Sequence, residues 1–245
     1  MAIVKSKQLL TVGDAKTSKG ELLGYKTHIL YMIPYTQNSK KINLCPHASA
    51  GCAAACLVGS GKGGVFSNVI QGRQNKTEYF LAERVEFLNQ LVTEITKAIK
   101  KQKGKDTPVF RLNGTADIRY EKFKIFEGKN IFELFPEVQF YDYTKNYLRF
   151  DQNLPKNYDL TFSRSETNHD KAMEILKKGY NVAMVFDEVP TEYEGYEVIN
   201  GDEHDLRFLD KKGVIVGLKY KKLTAKGSDN NAAFDSGFAI RTKNQ

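Results

Sequence analysis

The sequence predicts an α/β fold with mostly parallel strands, arranged as a partial (βα)6-type barrel. Three observations predict it. Six short apolar or β-prone segments, "THILYMIPY", "TPVFRLNGT", "VQFYDYT", "YDLTFSRS", "NVAMVFDE" and "GVIVGLKY", follow one another along the chain. Helical or irregular pieces such as "NIFELFP" and "NHDKAMEILKKG" lie between several of them, the alternation that accompanies parallel βα units. Six strands are also too few for a complete eight-stranded barrel, which leaves an open doubly wound sheet as the second arrangement. The chain has 245 residues, 41% apolar and 27% charged, enough to bury a substantial core. No linker, low-complexity tract or repeat interrupts it, so one domain over 1–245 is expected.

Taken in order, residues 1–27 are short stretches broken by Gly13, Gly20 and Gly24, and "THILYMIPY" is then the first buried strand. A cysteine-bearing loop, 45–57, follows it and runs into the glycine-rich "VGSGKGG". That run is not a phosphate loop, because Lys62 is followed by Gly63 where the motif needs a hydroxyl residue; it reads as a flexible connection. "NKTEYFLAERVEFLNQLVTEITKAIKKQ" is the clearest helix, with Phe80, Leu81, Val85, Leu88, Val92, Ile95 and Ile99 at helical spacing. Basic residues gather at its C-terminal end, as the helix dipole favours. The tail, 224–245, is polar and glycine-bearing before it ends apolar, and is expected to fold back as a cap.

All three cysteines stand within "CPHASAGCAAACL" at spacing Cys45-x6-Cys52-x3-Cys56. An odd, tightly spaced set argues against a disulfide framework. One helical turn would set Cys52 and Cys56 on one side, and Ala53, Ala54 and Ala55 favour a helix there. Converging thiolates repel one another unless a metal neutralises them. Three readings stay open: an iron–sulfur cluster with one iron left without a thiolate, a structural zinc with His47 as fourth ligand, and buried reduced thiols.

Polar residues end several strands: Asn113 and Thr115, Asp142 and Thr144, Ser163, Ser165 and Glu166, and Asp187 and Glu188. Ligands of parallel α/β folds bind at the carboxyl ends of strands, although turns and helix caps use the same residue types. Asn113, Asp142 and Ser163 are therefore expected to face one mouth with the cysteines and to orient a polar ligand. His204, in "NGDEHDLRF", reads as part of a turn with surface ion pairs, and His28 as structural. His169 reads as a helix start with Thr167 or Asn168 as cap. Tyr141, Tyr143 and Tyr147 are core aromatics or stacking groups.

Two resemblances rest on these residues. "LCPHASAGCAAACL", "RLNGTADI", "FYDYTK" and "LTFSRSE" resemble a phage-encoded family called gene product eighty-eight, over about residues 25 to 240. Clustered cysteines after a first strand, followed by βα units, resemble the radical S-adenosylmethionine (radical SAM) enzymes, which typically carry C-x3-C-x2-C where this chain has C-x6-C-x3-C. The second resemblance implies a radical-SAM-like barrel and a [4Fe-4S] cluster on Cys45, Cys52 and Cys56. It also implies S-adenosylmethionine at the open iron, with Asn113, Gly114 and Thr115 toward its amino group and Ser163, Ser165 and Glu166 toward its ribose.

The net charge of +8 permits nucleic acid as a partner. The rival to an enzyme is thus a non-catalytic iron–sulfur or zinc protein that contacts nucleic acid or a host protein. With no apolar run of membrane length and no signal-peptide pattern, the expected location is cytoplasmic, in the host cell for a phage protein. No membrane partner is expected.

Overall fold

The apolar segments of the chain become its strands, and the longer amphipathic ones its helices. The computed structural model describes residues 5–13, 18–34, 38–56, 58, 66–224 and 229–242. In chain order the elements are β1 (Leu10–Thr11), α1 (Ser18–Glu21), β2 (Tyr25–Leu30), α2 (Ala50–Ala54), α3 (Ser67–Ala82), α4 (Arg84–Gln102), β3 (Thr107–Arg111), α5 (Ile131–Leu134), β4 (Phe140–Thr144), β5 (Tyr158–Ser163), α6 (His169–Lys177), β6 (Val182–Phe186), β7 (Glu192–Tyr193), β8 (Tyr196–Asn200), β9 (Ile215–Lys219), α7 (Ala232–Asp235) and β10 (Ala239–Ile240). The glycine run at 59–64 lies outside the described residues, as do 225–228 and 243–245 of the tail.

The chain divides into two compact units. The first draws on Met1–Pro46, Asn68–Asp142 and Leu154–Asp159, the second on His47–Ser67, Tyr143–Asn153 and Leu160–Gln245. In the first, β2 pairs in parallel with β3 from Tyr25↔Thr107 to Ile29↔Arg111, β3 pairs in parallel with β4 at Phe110↔Phe140, and β1 adds antiparallel to β2. In the second the strand order is β5-β6-β9-β8-β7, parallel except for the β7–β8 hairpin. The fold is therefore mixed α/β with mostly parallel strands. No pairing closes a barrel among the described residues.

All six segments expected as strands contain one, and among the described residues four further strands join them. The β7–β8 hairpin turns at Glu194 and Gly195, both at positive φ (49° and 79°), the two-residue geometry whose twist matches the flanking strands. β10 has a different origin. β9 occupies one edge of β6 along its whole length, so the other edge is shared: β5 takes Val182 and Ala183, and β10 takes Val185 and Phe186. The tail thus folds back into the sheet, continuing the line of β5 where β5 leaves it.

The long helix is two. α3 ends at Ala82 and α4 starts at Arg84, with Glu83 at φ −128°, ψ 59° between them. Hydrogen bonds from Glu83 N to the Tyr79 carbonyl (2.8 Å) and from Phe87 N to the Glu83 carbonyl (2.9 Å) bracket the break. The break resets the phase of the apolar face. Phe87, Leu88, Leu91 and Ile95 are buried, whereas Val85, expected inside, is 67% exposed. Among the described residues no helix is long and apolar enough to cross a membrane.

His28 sits in β2, buried, its ring stacked on Phe110 at 5.0 Å between centroids. Burial, with Lys26 and Lys101 adding to it, pushes its pKa down to about 4. An unfolded chain binds that proton near pH 6.5, so stability is present above that pH and is lost as pH falls toward 4. Urea titrations from pH 7 to pH 4 are expected to lose on the order of 3 kcal/mol from this ring. In His28→Phe that part of the slope disappears.

Candidate functional site

β3 leaves the sheet at Arg111, and the next two amides have no strand partner to donate to. A carboxylate receives them. Asp142, on β4 and with no exposed surface, accepts from Leu112 N (3.3 Å) and Asn113 N (2.9 Å), and also from the Asn113 side chain (3.3 Å) and the Tyr158 hydroxyl (3.0 Å). A buried carboxylate needs several donors to offset its lost hydration. Asn113 in turn pins the loop that follows, its Oδ1 accepting from Ile118 N (2.7 Å) and its Nδ2 donating to the Ile118 carbonyl (3.0 Å).

That loop holds the first cysteine. The Thr115 hydroxyl donates to the Met32 carbonyl (2.5 Å) and accepts from Met32 N (3.2 Å), while Asp117 N donates to the Leu44 carbonyl (2.9 Å). Beside Leu44, the Cys45 thiol donates to the Thr115 carbonyl at 3.6 Å. Gly114 lies so close to β2 that an added Cβ would meet Ile29 Cγ2 at 2.6 Å and Tyr31 Cδ1 at 2.7 Å. The first sequence-predicted group, Asn113, Gly114, Thr115 and Asp142, is therefore gathered with Cys45, and its polar side chains bond to the protein's own backbone and to one another.

The second group gathers around α2. This five-residue helix carries Cys52, and Ser49 caps it by accepting from Cys52 N (3.2 Å). Glu166, three residues beyond β5, accepts from the Ser49 hydroxyl (2.7 Å) and from Gly51 N (2.8 Å). Burial raises the Glu166 carboxyl pKa, but these two hydrogen bonds, together with its own backbone amide and the Arg164 charge, more than offset it and hold the group below its ordinary range. Just after α2, Ala55 forms a small apolar cluster with Ala233, Phe238 and Ala239, and Cys52 packs against it. An added Cβ on Gly51 would lie 2.4 Å from the Ser236 hydroxyl and 2.9 Å from both Glu166 oxygens.

Arg164 bridges the place where β5 gives way to β10, donating to the carbonyls of Gly237 (2.5 Å) and Phe238 (3.1 Å). Ser163 accepts from Lys145 Nζ at 2.7 Å. Ser165 is buried and donates its N–H to the Asn168 side chain (2.6 Å), which also donates to the Ser163 carbonyl (3.2 Å). Asn168 thus stands at the N-cap position of α6, as expected, but its side chain braces this turn and makes no cap bond. Sequence reasoning assigned no role to Ser49, Arg164 or Lys145. The Ser49-x-x-Cys52 spacing ahead of an alanine run was the one local signal for the first of them.

The three cysteines are thiols, partly exposed, and none is in a disulfide. Among the described residues no group of three or more His, Cys, Asp or Glu side chains converges to hold a metal ion. Thiolate sulfur is the ligand type that iron–sulfur clusters take. His47 is exposed.

The remaining histidine and tyrosine sites fall as follows. Tyr141 is in the core, its hydroxyl 3.1 Å from Thr27 Oγ1, and Tyr147 is exposed with Lys171 over its ring at 5.4 Å. The stretch "NGDEHDLRF", read as a surface turn, contains a buried guanidinium. Arg207 is 1% exposed and pairs at 3.2 Å with Asp210, whose side chain is also covered. His204, on the same turn, has its pKa lowered by burial and by Arg207.

Removing Asp142 would leave Leu112 N, Asn113 N and the Tyr158 hydroxyl without their acceptor. Asp142→Ala is expected to lower the unfolding free energy by roughly 3 kcal/mol or more, and Ser163→Ala, at a half-buried site, by under about 1 kcal/mol. Urea denaturation of both variants checks the contrast.

No curated protein and no solved structure matches the chain. The family described as gene product 88 matches residues 6–242, nearly the full length. The chain therefore belongs to the gene product 88 family.

Proposed function

We propose that this protein is an iron–sulfur protein whose Cys45, Cys52 and Cys56 thiolates hold a [4Fe-4S] cluster. One observation carries the reading. The chain's entire cysteine complement lies in one twelve-residue stretch, as partly exposed thiols outside any disulfide. Each end of that stretch is held: Cys45 by the loop after β3, and α2 by Glu166 and the apolar cluster of the tail. Buried inert thiols have no need of this placement, whereas cluster ligands need access to solvent-borne iron and a rigid backing.

A bound cluster would supply one-electron transfer and an iron free of protein thiolate. S-adenosylmethionine, with its amine and carboxylate, is the ligand class that suits such an iron, and the mostly parallel α/β fold supports the radical-SAM-like reading at the level of architecture alone. The chain's own residues would bind and orient that ligand and exclude water from it. The +8 charge favours a second reading, a non-catalytic metal protein that contacts nucleic acid through its basic surface.

Anaerobic purification with iron and sulfide counts tests the cluster. The expected result is brown protein with broad absorption near roughly 400 nm. Cys45→Ala, Cys52→Ala and Cys56→Ala should each lose most of the iron, and His47→Ala should keep it. Bound zinc that His47→Ala abolishes would sink the iron–sulfur reading. With an intact reduced cluster, S-adenosylmethionine should perturb the EPR signal. An unchanged signal favours the binding protein.

A further inference from the structure

Glu166 was expected to face a ligand's ribose, but both of its oxygens are already engaged. Oε2 receives the Ser49 hydroxyl and Oε1 the Gly51 amide, and Ser49 receives Cys52 N. Two short links thus join the carboxylate to the cysteine, one through the capping serine and one through the neighbouring peptide. A five-residue helix cannot hold its own shape in water, so α2 depends on what surrounds it.

The surroundings are specific. Gly51 is closed in by Ser236 on the tail and by Glu166, with no room for a methyl group between them. Cys52 and Ala55 rest on Ala233, Phe238 and Ala239. Arg164, two residues before Glu166, ties the same tail down through the Gly237 and Phe238 carbonyls. The turn 164–166 therefore grips both the cysteine helix and the segment beneath it.

We propose that Glu166 is a positioning residue for Cys52, acting through Ser49 and Gly51, and that it is not a ligand contact. Its use for metal binding rests on the iron–sulfur reading, but the positioning itself does not. The tail segment, anchored by Arg164, packs against α2 alongside Glu166. A carboxylate is suited to this because it accepts two hydrogen bonds at once and complements the amide end of a helix.

The test is site-resolved alkylation by iodoacetamide of the full chain prepared without metal, followed by peptide mass spectrometry. Cys45, held by the loop after β3, is the internal control. In Glu166→Ala the Cys52-to-Cys45 rate ratio is expected to rise roughly 3- to 10-fold, the factor that one net hydrogen bond supplies. Glu166→Gln keeps one acceptor oxygen and should fall between Ala and the native chain. Amide exchange at Gly51 and Cys52 should accelerate in the same order. An unchanged ratio in both variants overturns the proposal, and so does a parallel rise at Cys45 and Cys52, which marks general loosening. A shifted ratio in a chain that binds no iron upholds the positioning role while the iron–sulfur reading falls.

Discussion

A carboxylate with no exposed surface, Asp142, organises the loop that holds Cys45. Its burial is costly unless donors surround it, and the donors come from β3's exit, from Asn113 and from Tyr158. Because Asn113 is held there, its own amide can close the loop to Ile118. Because that loop is closed, Thr115 and Asp117 meet Met32 and Leu44. The place of Cys45 follows from this chain of dependence, which starts at β4, the sixth element after it in sequence.

Parallel strands make such arrangements necessary. Each strand ends with backbone donors and acceptors that the next strand no longer pairs, and buried ones must find side chains. Here Asp142 serves the end of β3, while Asn168, Arg164 and Glu166 serve the turn after β5 and the segments beside it. The polar residues that a sequence reading marks as ligand contacts are the residue types that also satisfy these ends. Glu166 shows the overlap most clearly, since each of its oxygens accepts a hydrogen bond from the protein itself, one from Ser49 and one from Gly51. Ser163, bonded to Lys145 at the same strand end, is only half-buried.

α2 illustrates how a short element gains stability from context. Its sequence, AGCAA, has good helix formers but little length. The Ser49 cap, the Glu166 carboxylate and the apolar contact at Ala55 come from three separate parts of the chain. The glycine at 51 is favoured by this crowding, since a methyl group there would displace the Ser236 hydroxyl and the Glu166 carboxylate.

The sequence by itself determined six strands, because each is an apolar or β-branched run whose signal is local. It also determined the amphipathic character of α4 and the close spacing of the cysteines along the chain. Only the tertiary structure decided on β1, β7, β8 and β10, which are too short or too polar to stand out and exist because a neighbouring edge receives them. The break at Glu83 was likewise hidden, since the apolar spacing runs through it almost unchanged, and Val85 turned outward as a result. Arg207 looked like a surface charge among acidic neighbours, yet it is buried against Asp210. In each case the deciding partner is distant in sequence or the deciding angle is a single residue's. Periodicity reports the face a residue shares with its near neighbours, and carries no record of what that face will meet.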